Sequence, residues 1–189
     1  MGDNNWMYIL LLFLSLSVLL NLQLTLKMYL RVKELPGFYS QAPAPQPGDQ
    51  LPELQGKDLQ TGAAAALWHP QNATVLLFLS SRCPKCRQKL TRLSQLNLIT
   101  AQSGVQLLLL SSEPGWRFKK FLINSNLLAQ TVKMSSSAYL QLNPLQLSPA
   151  YLFVDQQGQV QAAGMIDDDN WLAFEAQLQD IHPDAEQAA

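Results

Sequence analysis

Cys83-Pro84-Lys85-Cys86 holds the only two cysteines of the chain, three positions apart, at the point where an apolar run gives way to a helical pattern. That placement restricts the fold. Residues 75 to 79, Val-Leu-Leu-Phe-Leu, form a continuous apolar segment of the kind buried on both faces of a parallel sheet. From Pro84 onward the period changes, and Cys86, Leu90 and Leu93 recur at i, i+4 and i+7 on one helical face. Pro84 suits the first helical turn. A thiol at a helix N-terminus faces unpaired N–H groups and the positive end of the helix dipole, which favour thiolate. The spacing predicts an outward Cys83 as attacking sulfur and an inward Cys86 as the thiol that resolves a mixed disulfide.

Other uses of two cysteines fit less well. Zinc needs four ligands, and His69 and His182 lack finger spacing, so no metal is expected. A disulfide closing so short a loop removes little unfolded-state entropy. Asp167 to Asp169 lacks the spacing and glycine of a calcium loop. A peroxiredoxin needs a proline where Leu76 stands. With a net charge of −1, the chain has no basic excess that would point to nucleic acid.

The front of the chain is of a different character. Met7 to Leu26 is a 20-residue uncharged stretch dominated by Leu, Ile, Phe and Val, long enough as a helix to cross a hydrocarbon core of about 30 Å. Trp6, Tyr8 and Tyr29 flank it as interfacial aromatics, and neither a basic n-region nor a small-x-small cleavage site accompanies it. It reads as a membrane anchor in contact with lipid. Lys27, Arg31 and Lys33 follow the span and would by the positive-inside rule place the domain in the cytoplasm. A tethered cysteine pair with no other thiol suits an oxidising compartment, and the periplasmic side is the favoured reading. The expected layout is an anchor over 1–30, a Pro/Ala/Gln-rich linker over 31–49 and a single domain over 50–189.

Within that domain, 105–110 reads as a strand and 114–123 as a helix, while 127–147 has no clear period. Residues 151–154 and 159–162, joined through Asp155-Gln156-Gln157-Gly158, read as a β-hairpin. Trp171, Phe174, Leu178 and Ile181 make a helical stripe, with Asp168 or Asp169 as N-cap.

This order, with CxxC opening the first domain helix and Ser148-Pro149 entering the hairpin, resembles the thioredoxin fold, an α/β architecture with a central mixed sheet, over about 74–181. The resemblance implies a cis Pro149 facing Cys83 and, with Ser148, helping to hold a substrate chain. The 63 positions from Cys86 to Pro149 are similar to the insertion-bearing, membrane-anchored members, most of all the MauD family of methylamine utilisation. That similarity rests on the anchor, Pro47-Gly48-Asp49, Leu79-Ser80-Ser81, Ser148 to Asp155, and Gly164. It implies a thiol:disulfide oxidoreductase that assists disulfide formation in an exported, cysteine-containing protein, exchanges electrons with a membrane redox partner, and needs no cofactor beyond its cysteine pair.

Two departures from the family pattern stand out. Arg82 replaces the Trp that many thioredoxins place before the first cysteine, and Val75 to Ser81 lacks the acid that often accepts the resolving thiol's proton. Either a water or another residue takes that proton, or resolution is slow and the mixed disulfide long-lived. Arg82, Lys85, Arg87, Lys89 and Arg92 set five positive charges around the motif. Together with Pro84, Arg82 and Lys85 are the candidates for tuning the thiolate, which would make the disulfide a stronger oxidant. The same cluster can equally be a solvated helix face or a docking surface for an acidic substrate or lipid headgroups. Two other functions use the same features: a low-potential reductase serving cytochrome c biogenesis, and a tethered binding module whose CxxC is incidental.

Overall fold

A computed structural model describes residues 3–33 and 43–181. These fall into two units, divided between Gln41 and Ala42. The first contains α1 (Asp3–Lys33), whose stretch Trp6–Tyr29 is 24 residues long and apolar enough to span a membrane. The helix runs past residue 30, so the first three positions of the expected linker are helical. Residues 34–42 of that linker, including Pro36 and Gly37, lie outside the described residues, as does His182.

The second unit is built on a seven-stranded mixed sheet. Its strands are β1 (Gln55–Asp58), β2 (Ala64–Ala66), β3 (Ala73–Phe78), β4 (Val105–Ser111), β5 (Thr131–Lys133), β6 (Ala150–Val154) and β7 (Val160–Met165), in the order β2-β1-β5-β4-β3-β6-β7. β3 lies parallel to β4 and β4 to β5, whereas β6 runs antiparallel to β3 and pairs with β7 as the expected hairpin. Residues 75–78 of the apolar run therefore lie in an interior strand, where neighbours on both edges pair their backbone, and Leu79 follows directly.

Side-chain alternation divides the core into two layers. Val75, Leu77 and Leu79 point to one face with Leu107, Leu109 and Tyr151, and there meet α2 (Pro84–Gln102), α3 (Gly115–Phe121) and α5 (Asp169–Ile181) through Cys86, Leu93, Leu96, Phe118, Trp171 and Leu178. Leu76 and Phe78 point to the other face with Leu108, Leu110, Leu152 and Val154, covered by Leu51, Leu67 and α4 (Ser136–Leu142) through Tyr139 and Leu142. The unreadable stretch 127–147 resolves into a short 3₁₀ turn, the three-residue β5 and α4. Each is too short to display a period.

The folded part also reaches ahead of Gln50. The Gly48 N–H donates to the Val160 carbonyl at 2.8 Å, and the Val160 N–H to the Asp49 carbonyl at 2.9 Å, so Pro47-Gly48-Asp49 is a turn stitched to β7. α3 is shorter than 114–123 and ends at Phe121, leaving Ile123 exposed beyond it. β7 is longer than expected, running to Met165, because Ala163, Gly164 and Met165 continue the pairing with Leu152, Tyr151 and Ala150.

Candidate active site

Cys83 sits at the N-cap of α2, one residue beyond the loop that leaves the central strand, and Pro84 opens the first turn. The Cys83 N–H donates to the Ser80 carbonyl at 3.1 Å, which closes a tight turn between strand and helix. No side chain caps α2, and its first turn holds no acid, so the free N–H groups face the sulfur. Three residues on, Cys86 points into the core layer beneath α2 and is fully buried, whereas Cys83 is half-buried at the surface.

This geometry drives the two thiols apart in acidity. At Cys83 burial opposes ionisation, but the Cys86 N–H, the Cys86 thiol, Ser148 and the Lys85 N–H together outweigh it and set the pKa below the ordinary 9.0. Lys85 acts through its backbone here, and both its side chain and that of Arg82 are exposed. At Cys86 burial dominates, adjacent Cys83 adds to it, and the thiol is pushed up to about 11 despite the Ser80 N–H that reaches its Sγ at 3.5 Å. One sulfur is thus partly exposed and more acidic than an ordinary thiol, the other sheltered and less acidic.

The Ser148–Pro149 bond is cis, and Pro149 is buried. The loop brings the Ser148 carbonyl to the cysteine pair, where it accepts from the Cys83 Sγ–H at 3.5 Å. Asn143 braces the approach, its Nδ2 donating to the Leu147 carbonyl at 2.8 Å and its Oδ1 accepting from the Leu147 N–H at 2.9 Å. On the far side of Pro149, its carbonyl accepts from the Ile166 N–H at 3.1 Å. The structure thereby brings Cys83, Cys86, Ser148 and Pro149 together from α2 and the start of β6.

The five basic residues do not form one field. Lys89 pairs with Asp167 at 2.7 Å and Arg92 with Glu175 at 3.3 Å, both acids arriving from near or within α5. Arg87 lies over the Phe121 ring at 5.8 Å. The exposed Arg82 and Lys85 remain beside the motif without an acidic partner among the described residues.

The sequence reading missed Glu113. It lies in the loop between β4 and α3, and its Oε1 accepts from the Ser80 hydroxyl and the Ser81 N–H, both at 2.9 Å, while its Oε2 accepts from the Ser81 hydroxyl. A carboxylate therefore stands against the two residues that lead into the cysteines, although the strand itself carries none. It lines a cavity of about 280 Å³ together with Ser80, Arg82, Tyr139, Gln146 and Ser148. The only signal in sequence was an isolated Glu-Pro after an apolar strand; only the parallel register of β3 and β4 brings their ends side by side.

No family model and no curated protein matches the chain. Solved structures do. A thiol:disulfide interchange protein DsbE from Chlorobium tepidum superposes with a TM-score of 0.61 at 20% identity, over 71% of this chain and 96% of that one. The thioredoxin domain of a thiol-disulfide oxidoreductase from Bacteroides vulgatus gives 0.59 at 18%, over 70% and 97%. A peroxiredoxin-like protein from Aquifex aeolicus gives 0.59 at 14%, over 74% and 90%. At these identities the likeness concerns the fold. The domain has a thioredoxin-like fold, a mixed sheet flanked by helices, and the chain begins with one helix apolar and long enough to cross a membrane.

Proposed function

We propose that this chain is a membrane-anchored thiol:disulfide oxidoreductase acting on exported cysteine-containing proteins, with Cys83 as nucleophile and Cys86 as resolver. The observation that carries the reading is the asymmetry of the pair: a partly exposed Cys83 under the Ser148 carbonyl with its pKa lowered, and a buried Cys86 raised to about 11. In the oxidising direction a substrate thiolate attacks Cys83 of the Cys83–Cys86 disulfide, and Cys86 leaves and takes up a proton. A second substrate thiolate then attacks the mixed disulfide and expels Cys83 as its thiolate. The substrate loses two electrons and the pair gains them, and a membrane redox partner reoxidises it.

In the reducing direction Cys86 must lose its proton before it attacks. Glu113 is the acceptor we assign to that step, through the Ser80 hydroxyl or water in the adjoining cavity.

α1 anchors the chain in the inner membrane with the domain on the periplasmic side. The finer reading is assistance to disulfide formation in a methylamine dehydrogenase-type subunit, supported by the sequence similarities from Pro47 to Gly164 set out above. The likeness to a DsbE-named interchange protein keeps a second reading in play, a reductase of the kind that serves cytochrome c biogenesis.

The reduction potential of the pair separates them. Equilibration with thiol–disulfide buffers and alkylation of free thiols is expected to give between about −120 and −200 mV; a value near or below about −270 mV selects the reductase. Undiminished exchange after Cys83→Ser, or full complementation by the double Cys83→Ser, Cys86→Ser variant, would replace both with a binding module.

A further inference from the structure

We propose that α1 is a dimerisation element as well as an anchor, and that it pairs with a second copy of itself in parallel through a seam centred on Asn21. The inference rests on the membrane-anchor reading above. Leu10, Leu14, Ser17, Asn21, Leu24 and Met28 alternate in steps of four and three residues, the period that keeps one face of a helix against another through a left-handed crossing. All six are exposed along α1.

Asn21 makes that face costly to leave in lipid. Its position places it roughly 5 Å from the middle of the Trp6–Tyr29 span, at 1.5 Å per residue, well inside the hydrocarbon. Among the described residues its amide has no hydrogen-bond partner, in contrast to Ser15, whose hydroxyl donates to the Leu12 carbonyl one turn back at 2.9 Å. An unpaired amide in hydrocarbon favours any state in which it finds a partner.

A second copy supplies one by symmetry. Two copies inserted by the same route share orientation and depth, so across a two-fold interface position 21 meets position 21. Asparagine carries both donor and acceptor, so the two amides satisfy each other reciprocally, and Ser17 one turn away lets the backbones approach. Gln23 lies at a similar depth but 200° around the helix from Asn21, on the face turned away from the seam.

The test uses the full-length chain, labelled at its N-terminus with donor or acceptor dye and reconstituted in phosphatidylcholine vesicles under reducing conditions, so that no disulfide joins copies. Energy transfer is expected and should fall on dilution with lipid. Asn21→Leu should shift the midpoint to roughly three- to tenfold higher protein-to-lipid ratio, the factor carried by lost interhelical hydrogen bonds. Asn21→Gln, which keeps donor and acceptor, should retain most of the transfer, and Gln23→Leu should leave it unchanged. Absence of transfer in the wild type, no shift with Asn21→Leu, or an equal loss with Gln23→Leu would each overturn the proposal. Alkaline carbonate extraction distinguishes the two levels: a chain that is extracted from membranes loses the anchor reading and the dimer with it, whereas one that is retained but unassociated loses only the dimer.

Discussion

Cys83 and Cys86 are three positions apart in one turn of helix, yet burial and N–H groups push their acidities in opposite directions. The sign for each is definite. A lowered pKa raises the thiolate fraction at any given pH, so alkylation of Cys83 by iodoacetamide should reach half its maximal rate below pH 9.0. Cys86, at about 11, should stay unmodified at neutral pH, and mass spectrometry of the reduced protein should find a single adduct, on Cys83. Two adducts of equal rate would refute the asymmetry on which the function rests. The raised pKa of Cys86 also stabilises the folded, reduced state below its unfolded value of 9.0, a contribution lost as pH climbs through about 11. Relative to Cys86→Ala, reduced wild type should therefore lose stability over that window. At Glu113 two roles are separable. Glu113→Ala removes an acceptor from Ser80 and Ser81 and should cost about 1–3 kcal/mol in urea unfolding. Glu113→Gln keeps the shape, and if the carboxylate takes the Cys86 proton, resolution of a trapped mixed disulfide should slow by roughly 10²-fold.

Elements were legible where they were long and apolar. The run 75–79 and the Cys86-Leu90-Leu93 face announced β3 and α2 because burial on a sheet and on one helix face leaves a periodic trace. β1 and β2 were not anticipated: Gln55-Gly56-Lys57-Asp58 and three alanines have little strand character, and they exist as strands because β5 offers β1 an edge to pair with. Glu113 escaped for a related reason, since its contact with Ser81 spans 32 positions and depends on parallel pairing. Gly164 was visible in the sequence without its cause. A Cβ there would overlap Asp168 Oδ2 and lie 2.9 Å from the Tyr151 hydroxyl, inside the contact that ties β6 to the start of α5. Asp168 accepts from the Tyr151 hydroxyl at 2.8 Å and caps α5 by accepting from the Trp171 N–H at 2.9 Å. Gly164→Ala must displace that carboxylate, and the expected loss is about 1–3 kcal/mol, from the cap and the tyrosine bond together. Asp168→Ala should cost a similar amount, and the double variant should cost less than the sum, because both act on one contact. Additive losses in thermal or urea unfolding would show that the glycine matters for another reason.

On the membrane-anchored reading proposed above, the decisive quantity for the whole molecule is the side of the membrane on which the domain lies, since thiol oxidation and reduction proceed under different conditions on the two sides. The chain supplies opposing signals. Lys27 and the basic residues that follow the span favour a cytoplasmic domain, while a lone cysteine pair without spare thiols suits an oxidising compartment. The positive-inside bias is a statistical preference, so the side has to be read directly. The fold itself provides the reporter. With only two cysteines in the chain, and Cys86 fully buried, a thiol reagent reports on Cys83 alone. In cells whose outer membrane has been permeabilised, after brief reduction, a membrane-impermeant maleimide should label the full-length protein without lysis, and Cys83→Ser should abolish the signal. Labelling that appears only after the inner membrane is opened would place the domain in the cytoplasm, where a reducing thiol pool holds the pair as dithiols and the oxidising reading fails.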